Sequence, residues 1–219
     1  MHVRIRDAWN GWYHINGNTY GTWIRGDDRG WRSRHHREHV EGDYRNPPPI
    51  EAYAAQREAS RRLMSAPVRL VFAARRRAVD EIVCSLVHQG IQVIACCVDD
   101  HHYHILAKFM LPSTAGKPTG PNPWASIETT RACVDPPWAS GKTRNQPIYA
   151  YIRHVVGLAK SRSARALSES GLAPDGGVWG KRFKITAVEN RRHQLRTYRY
   201  IMSHEHCGAA VWTMLRKPK

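Results

Sequence analysis

Acidic residues are scarce in this sequence. Asp and Glu number 18 against 34 Lys and Arg, which leaves a formal net charge of +16 with the 13 His counted as neutral. Long apolar runs are missing as well. The longest largely apolar stretch, Ile91 to Val98, falls far short of the roughly 20 residues a membrane span needs. The opening Met1-His2-Val3-Arg4-Ile5-Arg6 lacks the apolar core of a signal peptide, so no leader is expected. Five Cys, an odd number with no C-x-x-C spacing, give no disulfide framework. They point to a reducing, cytoplasmic compartment. Eight Trp and nine Tyr exclude a disordered chain. A folded protein of this basicity is expected to meet a polyanion, most often nucleic acid.

Along the chain, residues 8–25 mix aromatic and β-branched residues with Gly and Asn. They read as one or two strands with a turn near Asn16-Gly17-Asn18. Residues 26–46 are charged and Gly-punctuated and read as loop, and Pro47-Pro48-Pro49 leads into a helix from Glu51 to about Ser65. A second helix is predicted over Phe72–His88, with Phe72, Val79, Ile82, Val83 and Leu86 near one face and Gly90 closing it. Ile91–Val98 reads as a buried strand and Asp99-Asp100-His101 as a tight connection. His102–Phe109 then reads as an antiparallel strand. Residues 111–147 are Pro-rich, without periodicity, and read as a long loop or insertion. Further on come a helix over 148–168, a strand over 178–188 and a last helix over 191–206. Asn190 is its predicted N-cap, and Gly208 follows its end. Mixed helices and antiparallel strands place the chain in the α+β class.

Two patterns carry chemistry. In His102-Tyr103-His104, alternation along a strand puts both imidazoles on one face and Tyr103 on the other. Two such rings suit one divalent metal, although a polar sheet face would use the same residues. In the last helix, His193, Thr197, Tyr200 and His204 are spaced 4, 3 and 4 and form a polar stripe. Leu195, Tyr198 and Met202 read as the packing stripe. Tyr200 and His204 are thus one turn apart, and a tyrosine beside a metal-bound phosphate is a suitable nucleophile. Tyr149, Tyr151 and Tyr198 are rivals of Tyr200. Cys96 and Cys97 face opposite ways in a strand, so at most one could join the histidines, and both read as core.

Taken together these segments resemble the single-tyrosine HUH transposases, in particular the REP-associated tyrosine transposase type. The resemblance runs through Asp100-His101-His102-Tyr103-His104-Ile105-Leu106, then Gly157-Leu158-Ala159-Lys160-Ser161, then Val178-Trp179-Gly180-Lys181-Arg182-Phe183 and Arg199-Tyr200-Ile201. Thr19-Tyr20-Gly21-Thr22-Trp23-Ile24-Arg25-Gly26-Asp27 adds to it. It spans nearly the whole chain apart from residues 111–147, and one domain over 1–219 with an N-terminal segment 1–50 is expected. The resemblance implies a ferredoxin-like antiparallel sheet with packed helices. It implies Tyr200 as catalytic nucleophile, and His102, His104 and His204 as ligands of Mg²⁺ or Mn²⁺. His204 stands where many relatives carry Gln or Asn. The implied reaction is cleavage and rejoining of single-stranded, hairpin-bearing DNA through a 5′-phosphotyrosine, by a homodimer.

The basic charge fits such a substrate. Lys160 and Arg165 lie on the helix before the last strand, Lys181 and Arg182 on that strand, and Arg192 and Arg196 on the tyrosine helix. These are the expected DNA contacts, giving affinity with strong salt dependence but little sequence choice. The alternative reading is a nucleic-acid-binding protein that keeps the basic surface and does not cleave.

Overall fold

The computed structural model describes residues 8–24, 26–27, 31–32, 39–40, 49–62, 66–111, 147–173 and 177–215. Strand β1 (Trp12–Thr19) runs straight through Asn16-Gly17-Asn18, so the expected turn does not form. The reason is a close approach. A Cβ at Gly17 would stand 2.6 Å from the hydroxyl oxygen of Tyr103, and only glycine lets that ring lie flat against the strand. Tyr13 and Ile15 point with Gly17 into the larger core, while Trp12 faces the opposite side and joins the smaller one.

Two short strands, β2 (Trp31–Arg32) and β3 (His39–Val40), pair with each other within the segment expected to be loop. A 3₁₀ turn over Ile50–Tyr53 continues into α1 (Ala54–Arg62), close to the predicted first helix. The predicted second helix is α2 (Phe72–His88), with Ala74, Ala78, Val79, Ile82, Val83 and Leu86 buried. Phe72, at its first position, is exposed rather than part of that stripe. Strands β4 (Gln92–Val98) and β5 (His102–Lys108) form the expected antiparallel hairpin. Helix α3 (Pro147–Glu169) and strand β6 (Trp179–Ala187) follow. The expected insertion lies almost wholly outside the described residues.

Strand, helix, strand occurs twice: β1-α2-β4 and β5-α3-β6. With the later β7 (Ala210–Thr213) the sheet order is β6-β1-β5-β4-β7, every pair antiparallel. The first four strands make the ferredoxin-like split βαβ arrangement, and β7 extends it. The α+β expectation therefore holds. Helices α2 and α3 both cover one sheet face, burying Ile15, Ile82, Leu86, Tyr103, Ile105 and Ile152 in one core. Each buried aliphatic or aromatic side chain there contributes about 1.5–3 kcal/mol.

Helix α4 (Arg191–Ser203) lies on the other face. Asn190 caps it as predicted, its side-chain oxygen accepting the His193 backbone N–H at 2.9 Å. The helix ends three residues earlier than expected and passes into a 3₁₀ turn over His204–Cys207, closed by Gly208 at φ +85°. Its packing stripe also differs by one position. Gln194, Thr197 and Ile201 are buried, Tyr198 and Met202 flank them, and Leu195 is exposed. The second core it closes is small: Trp12, Ala95, Cys97, Leu106, Val188, Ile201, Ala209 and Val211.

Candidate metal centre

The second face of the sheet leaves its polar end open beside α4, and three histidines meet there. His102 and His104 stand two apart on β5 and point to the α4 side, as alternation requires. His204, the first residue after α4, comes down onto them. Ring centroids are 5.1 Å apart for His102 and His104, 5.0 Å for His102 and His204, and 5.0 Å for His104 and His204. One nitrogen from each ring lies within 4.8 Å of the others, a group that could hold one metal ion. His101 takes no part in this group. It sits in the turn, and its Nδ1 contacts the Asp100 carboxylate.

The donor chemistry fits a cation. Nδ1 of His102, Nε2 of His104 and Nε2 of His204 are buried and have no hydrogen-bond partner. An unpaired buried polar atom costs about 1–3 kcal/mol, and a shared cation removes that cost at all three. Burial also holds the rings neutral, with His102 lowered to about 4 and His104 to about 2. His204 is lowered for the same reason, against the pull of Asp99. The Asp99 carboxylate lies 4.0 Å from His102 Nδ1 and 3.9 Å from His204 Nδ1, beyond hydrogen-bond reach. Arg75 holds this corner together, donating to the Leu70 and Gly208 carbonyls at 2.8 Å and lying 3.7 Å from Asp99.

A fourth histidine, which sequence reading missed, stands behind the triad. His14 on β1 places its Nε2 3.0 Å from Nδ1 of His104, the two rings stacked. A metal on Nε2 of His104 would leave the proton on Nδ1, and that N–H would donate to Nε2 of His14. Metal-bound imidazoles are commonly oriented in this way. Burial, aided by His193, Lys184 and His204, lowers His14 to about 4, so it too is neutral.

Tyr200 completes the arrangement. Its ring is 5.2 Å from that of His104 and 4.8 Å from that of His204, edge-on to both, and it is 50% exposed. The rival tyrosines lie elsewhere. Tyr149 packs on Tyr13 in the larger core, Tyr151 is buried with it, and the Tyr198 hydroxyl is 3.3 Å from that of Thr213. Cys96 and Cys97 are fully buried, as expected, and burial pushes the Cys97 thiol up to about 12.

The six basic residues expected at DNA do not share one surface. Arg192 and Arg196 are exposed on α4, the helix that carries Tyr200, and Arg165 is exposed on α3. Lys181 and Arg182 are exposed on the edge strand β6, whereas Lys160 is buried between α3 and β6.

No family model and no curated protein matches this chain. One solved structure, of a REP-associated tyrosine transposase bound to a REP hairpin, is similar at 11% identity. The match covers 95% of this chain and 75% of that one, with a TM-score of 0.36. Among the described residues no helix is long and apolar enough to cross a membrane.

Proposed function

We propose that this protein is a metal-dependent, single-tyrosine transposase or endonuclease that cleaves and rejoins single-stranded DNA through a covalent 5′-phosphotyrosine. One observation carries the reading: a half-exposed tyrosine ring stands edge-on against two of three histidines whose buried nitrogens have no partner.

In this reading His102, His104 and His204 hold Mg²⁺ or Mn²⁺ through neutral nitrogens, and imidazole favours the latter. The ion supplies Lewis-acid polarisation of a phosphodiester and offsets the negative charge that builds on it. Tyr200 Oη attacks phosphorus in line and forms a new P–O bond. The bond to the 3′ oxygen breaks, the phenolic proton leaves to solvent, and the 3′ oxygen is released as a hydroxyl. One P–O bond forms as one is lost, so a second 3′-hydroxyl can reverse the step without an energy source. Arg192 and Arg196, exposed on the helix that carries Tyr200, would hold the flanking phosphates. The homodimer expected from the family resemblance belongs to the same reading.

The test is a denaturing gel of labelled single-stranded hairpin DNA incubated with the protein and Mn²⁺. A labelled band at protein mass, lost in Tyr200→Phe and in His102→Ala, is the expected result. Binding without any covalent band moves the assignment to a non-cleaving nucleic-acid-binding protein. Cleavage that survives Tyr200→Phe refutes the tyrosine mechanism.

A further inference from the structure

Away from the histidines, on the α2/α3 side of the sheet, a pocket of about 540 Å³ opens between α3 and β6. Arg153, Gly157, Lys160, Lys181, Arg182 and Phe183 line it. Four of these six are cations and none is acidic. Lys160 is the unusual member, being only 8% exposed. Its Nζ donates to the Gly180 carbonyl at 2.6 Å and lies 5.1 Å from the centre of the Phe183 ring. Among the described residues no carboxylate pairs with it. A buried ammonium is costly unless it is paired, and this one has a single neutral acceptor with other cations around it. Burial accordingly lowers it to about 8.

The missing counterpart is an anion, and the fold indicates where it comes from. β6 is an edge strand. Lys184 pairs with Asn16, and its charge reaches His14 on the face that carries the histidines. Lys181 and Arg182 line the pocket beyond that edge. Basic side chains therefore lead from the metal centre, round β6, to Lys160. The volume lies in the range of pockets that enclose small ligands, with an aromatic wall at Phe183. Gly157 borders this open space, since nothing lies within 4 Å of where its Cβ would be.

We infer that this pocket binds a phosphate group of a nucleic-acid strand that also occupies the histidine centre, so that the strand bends round the β6 edge. The inference rests on the proposed DNA substrate and adds a second, separate anchoring point.

Fluorescence anisotropy of a labelled single-stranded oligonucleotide tests it, using wild type, Gly157→Leu and the double variant Arg153→Gln/Lys181→Gln. Leucine projects into the pocket while leaving every charged residue in place, and it is a better helix former than glycine, so thermal melting should not fall. If melting does fall, the double variant decides, since both its positions are exposed. Both variants are expected to bind about tenfold or more weakly. The double variant should also lose salt dependence, by about 0.7 in log–log slope for each phosphate contact removed. Tight oligonucleotide binding that is equal in all three proteins overturns the pocket while leaving the DNA reading intact. No oligonucleotide binding by wild type overturns both. Inorganic phosphate and a mononucleotide form the last arm. If either stabilises wild type but not Gly157→Leu, while oligonucleotide affinity is the same in both, the site is for a free anion and the strand inference fails.

Discussion

The Nδ1 of His104 and the Nε2 of His14 lie 3.0 Å apart, linking β5 to β1 across 90 residues of chain. A metal on His104 Nε2 requires the tautomer in which Nδ1 carries the proton, and His14 Nε2 stands where it can accept it. His14→Phe keeps a ring in the stack and removes the acceptor. Titration calorimetry with Mn²⁺ near neutral pH should show a loss of affinity of about 10–100-fold. Unchanged affinity would remove His14 from the centre.

Acid should weaken the metal-free fold through the same rings. An unfolded histidine titrates near 6.5, whereas His14 and His102 are held at about 4 and His104 at about 2. Above about pH 6.5 neither state takes a proton and these rings leave stability unchanged. Below it the unfolded chain binds protons that the folded chain refuses, so stability falls. The fall continues to about pH 4 for His14 and His102 and further for His104. Each unit of lowered pKa corresponds to about 1.4 kcal/mol once fully expressed. Melting temperatures of chelator-treated protein should drop steadily from pH 6.5 to 4.5, and a flat profile would contradict the buried neutral cluster.

Gly17→Ala should cost about 1–3 kcal/mol in denaturant unfolding, the scale for overpacking a filled core. The added methyl would meet Tyr103 Oη at 2.6 Å and the ring carbons Cε1 and Cζ at 2.8 Å. Adding Tyr103→Phe removes the nearest atom and should restore part of the loss. No recovery would locate the strain elsewhere.

Ile201 is fully buried beneath α4, next to the half-exposed Tyr200. Ile201→Ala should destabilise the protein by about 2–5 kcal/mol, and with it the placement of His204 just beyond the helix. Chemical denaturation measures the first effect and Mn²⁺ titration the second. A loss of stability without weaker metal binding would show that the 3₁₀ turn over His204–Cys207 and β7, rather than the helix, place His204.

Much of this was legible because the signal was local. α2 and α3 repeat their apolar positions over many turns, and His102 and His104 declare a shared face by strand alternation alone. Gly17 was not legible, since Asn-Gly-Asn is turn chemistry and the Tyr103 ring that demands glycine comes from a distant strand. His14 was hidden for a related reason: its partner is set by the β1–β5 register, which no local pattern reveals. In α4 the hydropathy of Leu195 misplaced the buried stripe. The sheet face beneath that helix is partly polar and accepts Gln194 and Thr197 instead.

The antiparallel strand β7 pairs with β4, so the outermost strand on that side of the sheet follows His204 in the chain and meets a partner made about 115 residues earlier. The three histidines likewise come from a hairpin made mid-chain and a turn made late. During synthesis the ferredoxin-like part, which ends with β6, can collapse before α4 forms, while no metal centre yet exists. Metal uptake by the three histidines would then report docking of α4 rather than the initial collapse. A nascent chain that already holds β1, β4, β5 and β6 would lack the third histidine of the cluster until α4 has formed.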